Sequence, residues 1–180
     1  MRNLKQIILI VMAGAQLTFI SCSTSDDGGA EGNAASGTLT AKVDGTSYQS
    51  MEISSSATVA NAGGAKNLVI IASNSDGNAF AITVFGYTGE GTYELTGANL
   101  AVTNTGSYTE TKVNLSNPVA SITKVWQAPF DATKAGSITI TDETDSKVKG
   151  TFSFKSKNVN GDGSVKNITE GSFDLSKQTT

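Results

Sequence analysis

The sequence contains no histidine, a single cysteine and only two prolines, and these shortages exclude several kinds of chemistry. Without histidine, the chain has no Ser-His-Asp or Cys-His catalysis, no histidine metal ligand and no imidazole proton transfer near neutral pH. With one cysteine, no disulfide can form within the chain. Charge is also scarce, since 13 Lys and Arg against 16 Asp and Glu leave a net charge of −3. A mildly acidic chain has no electrostatic basis for binding nucleic acid, so we expect no nucleic-acid partner.

The first 21 residues have the layout of an export signal. Two basic residues, Arg2 and Lys5, precede an apolar stretch that runs from Ile7 to Ile20. That stretch is shorter than the ~20 apolar residues of a transmembrane helix and is typical of a secretory signal. Its end, Phe19-Ile20-Ser21-Cys22, resembles the lipobox of bacterial lipoproteins. We therefore expect residues 1–21 to be removed and the thiol of Cys22 to be acylated; the alternative is an ordinary secretory signal with an incidental cysteine.

Residues 22–37 are predicted to be a flexible tether that follows the lipidated Cys22. The segment has no large apolar side chain, so it cannot bury enough surface to offset the entropy of ordering. Within it, Ser25, Asp26 and Asp27 resemble the surface-export signal of Bacteroidota lipoproteins. That resemblance implies an outer-membrane lipoprotein on the cell surface, and the periplasmic side of the outer membrane is the alternative. Two or three acyl chains would make such an anchor stable.

Residues 38–176 are predicted to form a single all-β domain, with residues 177–180 as a C-terminal tail. The 19 glycines and the abundance of Ser and Thr are typical of short strands joined by turns. Thr38–Val43 alternates between apolar and polar residues, and the Asp44-Gly45 pair that follows it is a strong hairpin signal.

The middle of the domain contains one clear hairpin and several weaker segments. Residues 68–73 and 79–87 form the best hairpin, and its first strand, which is continuously apolar, is expected to be covered on both faces. Residues 51–59 give one weak strand anchored by Ile53 and Val59, and a further strand is expected at residues 100–104.

The C-terminal third alternates more clearly, with strands predicted at 137–141 and around 148–155. In the last strand, Ile168 and Phe173 have opposite parity, so we predict a bulge near Glu170-Gly171 that turns both side chains inward. No segment has a convincing helical pattern. About 8–10 short strands predict an all-β fold, either an antiparallel β-sandwich or a partly closed up-and-down β-barrel.

Five short segments of sequence, spread along the whole domain, carry a resemblance to a known family. They are Thr40–Gly45, Gly91–Leu95, Gly136–Ile140, Gly150–Phe154 and Ile168–Phe173. Together they resemble an uncharacterised β-rich lipoprotein family of Bacteroidota, a domain of unknown function. The resemblance implies a location and a fold. It implies no activity, cofactor or catalytic residue.

Carboxylates are the main chemical groups that remain once histidine and thiolate are excluded. A glycosidase with two carboxylates is the enzyme class that survives, because it needs no other side chain for its chemistry. The spacing of the acids in the sequence does not indicate which two of them would form a catalytic pair. Acids in turns and on exposed strand faces ordinarily keep a domain soluble. The candidates are Glu90, Glu94, Asp142, Glu143, Asp145 and Glu170.

Asn158–Gly163 imitates the beginning of a calcium loop, with oxygen-bearing side chains at alternate positions and glycine in sixth place. The first position is Asn, and Glu170 comes one place too late to be the twelfth-position ligand. The flanking segments are predicted strands, whereas a calcium loop of this type joins two helices. We therefore interpret the segment as a hairpin turn, and we expect no metal site and no cofactor.

Three aromatic residues, Trp126, Tyr87 and Tyr108, are the candidates for stacking on a sugar or contacting a partner. Packing against a strand edge is the competing interpretation of Trp126, which lies close to Pro129-Phe130. None of the three belongs to a motif that fixes a ligand.

We expect a non-enzymatic binding or accessory β domain on an outer-membrane lipoprotein. Its partners would be the membrane, through the N-terminal lipid, and an extracellular or periplasmic protein or glycan. One alternative is a carbohydrate- or lipid-binding β-barrel whose interior is the ligand site. A second alternative is a hydrolase that depends on carboxylates.

Overall fold

The computed structural model describes residues 33–62, 64–99 and 103–180. Within these ranges the chain forms strands and two 3-10 turns, and no helix there is long and apolar enough to cross a membrane. The strands are β1 (Thr38–Val43), β2 (Thr46–Gln49), β3 (Ser55–Ala62), β4 (Ala65–Ser73), β5 (Ala79–Phe85), β6 (Gly91–Thr96), β7 (Thr105–Lys112), β8 (Ile122–Ala128), β9 (Lys134–Glu143), β10 (Lys147–Asn158) and β11 (Val165–Thr179).

All of these strands belong to one hydrogen-bonded sheet with the order β2-β1-β11-β3-β4-β5-β7-β8-β10-β9-β6. An additional pairing between β10 and β11 closes the central strands into a ring. The result is a six-stranded layer, β2-β1-β11-β10-β9-β6, facing a five-stranded layer, β3-β4-β5-β7-β8. The prediction of an all-β sandwich or partly closed barrel is confirmed.

The two corners of the ring are made by the two longest strands. One edge of β11, which has 15 residues, pairs first with β1 and then, at Lys177–Thr179, with β3. One edge of β10, which has 12 residues, pairs first with β9 and then, at Lys157 and Asn158, with β8. Each long strand therefore passes from one layer into the other, and the backbone groups beyond its first partner are satisfied by a second one.

The end of β11 departs from the sequence prediction in two ways. Residues 177–180 were expected to be a tail, but Lys177–Thr179 are strand residues. Their pairing with β3 is parallel, whereas antiparallel strands were expected throughout. Both differences have the same cause: β1 is too short to cover β11, so the uncovered end pairs with a strand of the other layer. The eleven strands also exceed the expected 8–10.

Two local expectations in the middle of the chain were wrong. The first strand of the central hairpin is covered on one face only, and Ile71 is 51% exposed. An antiparallel sheet needs cover on one face only, so a continuously apolar run does not have to be buried on both. Ile53 does not anchor a strand, because it lies in the 3-10 turn Glu52–Ser54 and is 94% exposed. The predicted strand at 100–104 lies mostly outside the described residues.

The turn and bulge predictions were correct. Asp44 and Gly45 have φ values of 49° and 82°, the positive φ that a type I′ hairpin turn requires. Glu170 has a φ of 51°, and the pairing of β11 shifts register beside it. That bulge lets both Ile168 and Phe173 point into the core.

Aromatic side chains from both layers fill the interior. Phe80 of β5, which has no exposed surface, lies 4.8 Å from the ring of Tyr48, 5.0 Å from that of Tyr108 and 5.5 Å from that of Phe152, measured between ring centroids. The hydroxyl of Tyr48 donates to the carbonyl of Ala72 at 2.9 Å, so this buried polar group is satisfied. The cluster joins β2, β5, β7 and β10 and holds the two layers together.

Gly136 of β9 tests how closely β9 approaches β10. A methyl group at this position would collide with the carbonyl oxygen of Ser153 and with the backbone of Phe154. We expect Gly136→Ala to lower the free energy of unfolding by about 1–3 kcal/mol, since backbone atoms on β10 would have to move. Urea unfolding measures the change.

The control for this substitution is Gly161→Ala in the β10–β11 turn. A methyl group there would meet only the end of the Asn158 side chain, at 3.0 Å. Equal stabilities of the two variants would contradict the close approach of β9 to β10.

Candidate functional site

The residues predicted for lipidation and export, Cys22, Ser25, Asp26 and Asp27, lie outside the described residues, so their roles stay predictions. The three aromatic candidates fall within the described part of the chain. All three are buried, with exposed fractions of 4% for Trp126, 4% for Tyr108 and 2% for Tyr87. They therefore do not offer open ring faces for stacking on a sugar.

Trp126 and Tyr108 lie together at one end of the sandwich. They are register partners on β8 and β7, and their ring centroids are 6.2 Å apart. The indole nitrogen of Trp126 donates to the hydroxyl of Ser164 at 3.1 Å, so the residue is anchored to the loop before β11. This supports the packing interpretation of Trp126.

Lys166 of β11 is the central charge of this end, and sequence analysis missed it. Its ammonium lies 4.6 Å from the centre of the Trp126 ring and 5.8 Å from that of Tyr108. It also forms ion pairs with Glu110 at 2.8 Å and with Asp44 at 3.6 Å. We name these five residues the lysine–aromatic cluster. Because its members come from the β1–β2 turn, β7, β8 and β11, no local sequence pattern reveals it.

The lysine–aromatic cluster perturbs the ionisation of Tyr108. Burial, together with the negative charge of Glu110, raises the pKa of Tyr108 to about 12. The neutral phenol is thus the stable form beside a lysine whose charge is already balanced by two carboxylates. This arrangement stabilises the end of the sandwich and leaves no free base or nucleophile in it.

The third aromatic candidate, Tyr87, lies towards the opposite end of the sandwich, near Glu143 and Lys177. The Lys177 ammonium donates to Glu143 at 2.8 Å, and both side chains are largely buried. Burial alone would raise the pKa of Glu143, but the hydrogen bonds from Lys177 and Tyr87 and the charges of Lys177 and Lys66 together outweigh burial and lower the pKa. Burial and the Glu143 charge raise the pKa of Tyr87 above its ordinary value.

Among the described residues, no contact joins two of the six acids considered for a glycosidase. Three of them are instead in ion pairs with lysines: Glu94 with Lys134 at 2.8 Å, Glu170 with Lys42 at 2.8 Å, and Glu143 with Lys177. A catalytic acid needs a raised pKa, and a lysine partner acts in the opposite direction.

Asn158–Gly163 forms the turn between β10 and β11, and its oxygens are used inside the protein. Asn160 accepts a hydrogen bond from the amide of Val125 at 3.0 Å and donates to the carbonyl of Thr123 at 3.1 Å. Asp162 accepts from the amide of Ser164. These contacts fasten the turn to β8. Within the part of the chain that the structure describes, no three Cys, Asp or Glu side chains are grouped as metal ligands.

A shallow hollow lies beside the bulge of β11, between β1 and β2. Its lining includes Thr40, Lys42, Gln49 and Glu170. The ion pair between Lys42 and Glu170 lies across it at 2.8 Å, so its two charges neutralise each other. Sequence analysis placed Glu170 at the bulge but did not place Lys42 beside it.

Replacing Lys166 tests the stabilising role of the lysine–aromatic cluster. We expect Lys166→Met to lower the free energy of unfolding by about 1–2 kcal/mol, because the cation–π contacts and the ion pair with Glu110 are lost. Urea unfolding followed by the fluorescence of Trp126, the single tryptophan, reports both stability and the local change.

Lys155→Met is the matched control, because Lys155 is exposed on the solvent face of β10. We expect its stability to stay within about 0.5 kcal/mol of the parent chain. If both variants lost the same stability, the cluster would have no special role.

The pKa of Tyr108 predicts a loss of stability in alkali. An unfolded tyrosine releases its proton near its ordinary pKa of 10, whereas the folded chain holds it to about 12. The stability that Tyr108 contributes is therefore complete below pH 10 and is lost as the pH rises towards 12. We expect the unfolding free energy of Tyr108→Phe to fall less steeply over this range, as measured by urea unfolding at each pH. Parallel curves for the variant and the parent chain would contradict the raised pKa.

Comparison with known proteins places the domain in a family. The family described as a domain of unknown function, DUF6252, matches residues 35–174. The chain matches no curated protein and no solved structure. Because the match spans both layers of the sandwich and most of the chain, this protein belongs to the DUF6252 family, whose members contain a domain of unknown function.

Proposed function

We propose that this protein is a lipid-anchored lipoprotein of the bacterial outer membrane whose β domain acts as a non-enzymatic binding or accessory module. The N-terminal part of the proposal rests on the sequence: the apolar stretch that ends in Ser21-Cys22, and the polar segment that follows. The part that concerns the domain rests on the interior of the sandwich.

The observation that carries the proposal is the filled core. Phe80, Phe152, Phe154 and Phe173 occupy the space between the layers, each with at most 4% of its surface exposed. A ligand-binding β-barrel instead encloses an open interior. The filled core therefore favours a module that contacts its partners through its outer surface over a barrel that holds a lipid or a sugar.

The polar chemistry of the domain points the same way. Several acids are paired with lysines, as in Lys134 with Glu94, and the more buried acid Glu143 is held by Lys177. An ion pair with lysine does not prepare a carboxyl group as a proton donor. This arrangement favours an accessory module over a hydrolase that depends on carboxylates.

The proposed attachment and display predict how the parent chain and two variants differ in lipid content and in protease shaving of intact cells. We expect the parent chain to carry a lipid on Cys22 and to lose its domain to external protease. Cys22→Ser should carry no lipid, because only a thiol accepts the diacylglycerol. The double substitution Asp26→Asn and Asp27→Asn should keep the lipid but become protected from protease, since the acidic export signal is removed.

Mass spectrometry of the N-terminal peptide measures the lipid, and immunoblotting of shaved cells measures display. The control replaces the same two acids with glutamate, which keeps the charge and should keep the domain accessible. A parent chain that retained residues 1–21, or that had a free thiol at Cys22, would overturn the anchored arrangement. A lipidated parent chain that resisted shaving while the outer membrane was sealed would overturn surface display.

A further inference from the structure

The outward face of the five-stranded layer carries no charged side chain. Side chains alternate between the two faces of a strand, and the inward set of this layer is the core set that includes Leu68, Ile70 and Phe80. The outward set consists of alternate residues of β3, β4, β5, β7 and β8, and all of them are Ser, Thr, Asn, Gln, Ala, Val, Ile or Phe. We name this surface the neutral face.

The absence of charge on the neutral face does not reflect a shortage of charge in the domain. The described residues contain 11 Lys and 13 Asp or Glu. The charged residues of these strands, such as Glu110 and Lys124, lie at inward-facing positions near the strand ends. The outward face of the six-stranded layer has the opposite character, because Asp174 lies there between Lys147 at 3.6 Å and Lys149 at 3.4 Å. Only one of the two outer faces is built as an ordinary solvated surface.

Most side chains of the neutral face are short, whereas Ile71 and Phe85 are large and apolar. One row across the strands consists of register partners and includes Ile71, which is 51% exposed. Its members are Ser56, Ile71, Ala81, Ser107 and Gln127. Phe85, on the same face of β5, is 41% exposed. Short side chains lose little rotamer entropy when they are covered, so covering such a face costs little free energy.

Both edges of the five-stranded layer are partly occupied by strands of the other layer. Edge strand β3 is hydrogen-bonded to β11 at Ala57–Val59, and edge strand β8 is hydrogen-bonded to β10 at Trp126 and Gln127. This partial pairing shortens the edge that is open to a partner strand, and the neutral face is the larger surface by which this layer can engage a partner.

The neutral face has the size of a specific protein interface. Five strands spaced ~4.8 Å apart, with about seven residues each, cover a flat area of about 550 Å². Two such faces in contact would bury at least about 1,100 Å², which exceeds the ~1,000 Å² expected of a biological interface. A two-fold pairing of identical faces is the commonest arrangement of soluble oligomers.

Charge favours the neutral face over the charged surfaces for contact between two copies of this chain. The chain is acidic overall, so two copies that met through their charged surfaces would bring like charges together. Two neutral faces bring none together, and the exposed side chain of Ile71 would be covered. We propose that this protein forms a two-fold dimer through the outward face of β3, β4, β5, β7 and β8. The proposal goes beyond the accessory role and does not depend on the lipid anchor.

Sedimentation velocity of the purified full chain in detergent tests the dimer. We expect two chains per particle for the parent protein and one chain for Ile71→Glu, with the dissociation constant raised at least about 100-fold, because two acids would face each other across the interface. Ile71→Lys alone should also be monomeric. An equimolar mixture of the two variants should recover the dimer, because opposite charges then meet.

Ser153→Glu is the matched control, since it adds an acid to the outward face of β10 in the other layer, and it should remain dimeric. A parent chain that is monomeric at about 100 μM would overturn the proposal. A persistent dimer in Ile71→Glu would do the same. Circular dichroism establishes that each variant is folded.

A second measurement covers the case in which the Ile71 variants fail to fold. Ser107→Cys places a thiol on the neutral face, and Ser153→Cys places one on the opposite face. A short bifunctional maleimide should join two copies of the first variant and not of the second, while the parent chain controls for Cys22. Equal cross-linking of both variants would overturn the proposal, and shaving of intact cells would be unaffected by any of these results.

Discussion

The hydrogen-bonding demand of two long strands is the constraint on which the rest of the structure depends. β10 and β11 extend past the partners that flank them in the six-stranded layer, and their remaining backbone groups pair with β8 and β3 of the five-stranded layer. Backbone N–H and C=O groups are strong hydrogen-bonding groups, so the ends of the two strands take these second partners and carry the sheet from one layer into the other. The closed ring and the filled interior follow from these two pairings.

The same geometry explains where the polar chemistry lies. Lys166 and Lys177 are both on β11, and each meets a carboxylate from another strand at 2.8 Å. Because β11 passes between the layers, its lysines reach the ends of the core, where one covers the rings of Trp126 and Tyr108. These pairs stabilise the ends of the sandwich. The aromatic residues that looked accessible in the sequence are covered as a consequence.

Much of the fold was predictable because local rules decided it. Asp44-Gly45 specified a type I′ turn through positive φ, and the opposite parity of Ile168 and Phe173 required a bulge between them. Local rules failed where cover came from distant strands. Ile71 lies in a continuously apolar stretch of sequence, which is typical of a strand buried on both faces. It is nevertheless exposed, because only the position of its strand in the sandwich decides which face is covered.

The sequence by itself determined the strand-rich composition, the turns, the bulge, the absence of histidine chemistry and the prediction of an anchored N-terminus, because each depends on residues that are close together in the chain. Only the tertiary structure decided that β11 pairs in parallel with β3, that Lys166 meets Trp126, and that one layer presents a face without charge. Those features join residues far apart in the chain, and their positions are set by which strands become neighbours when the sheet closes.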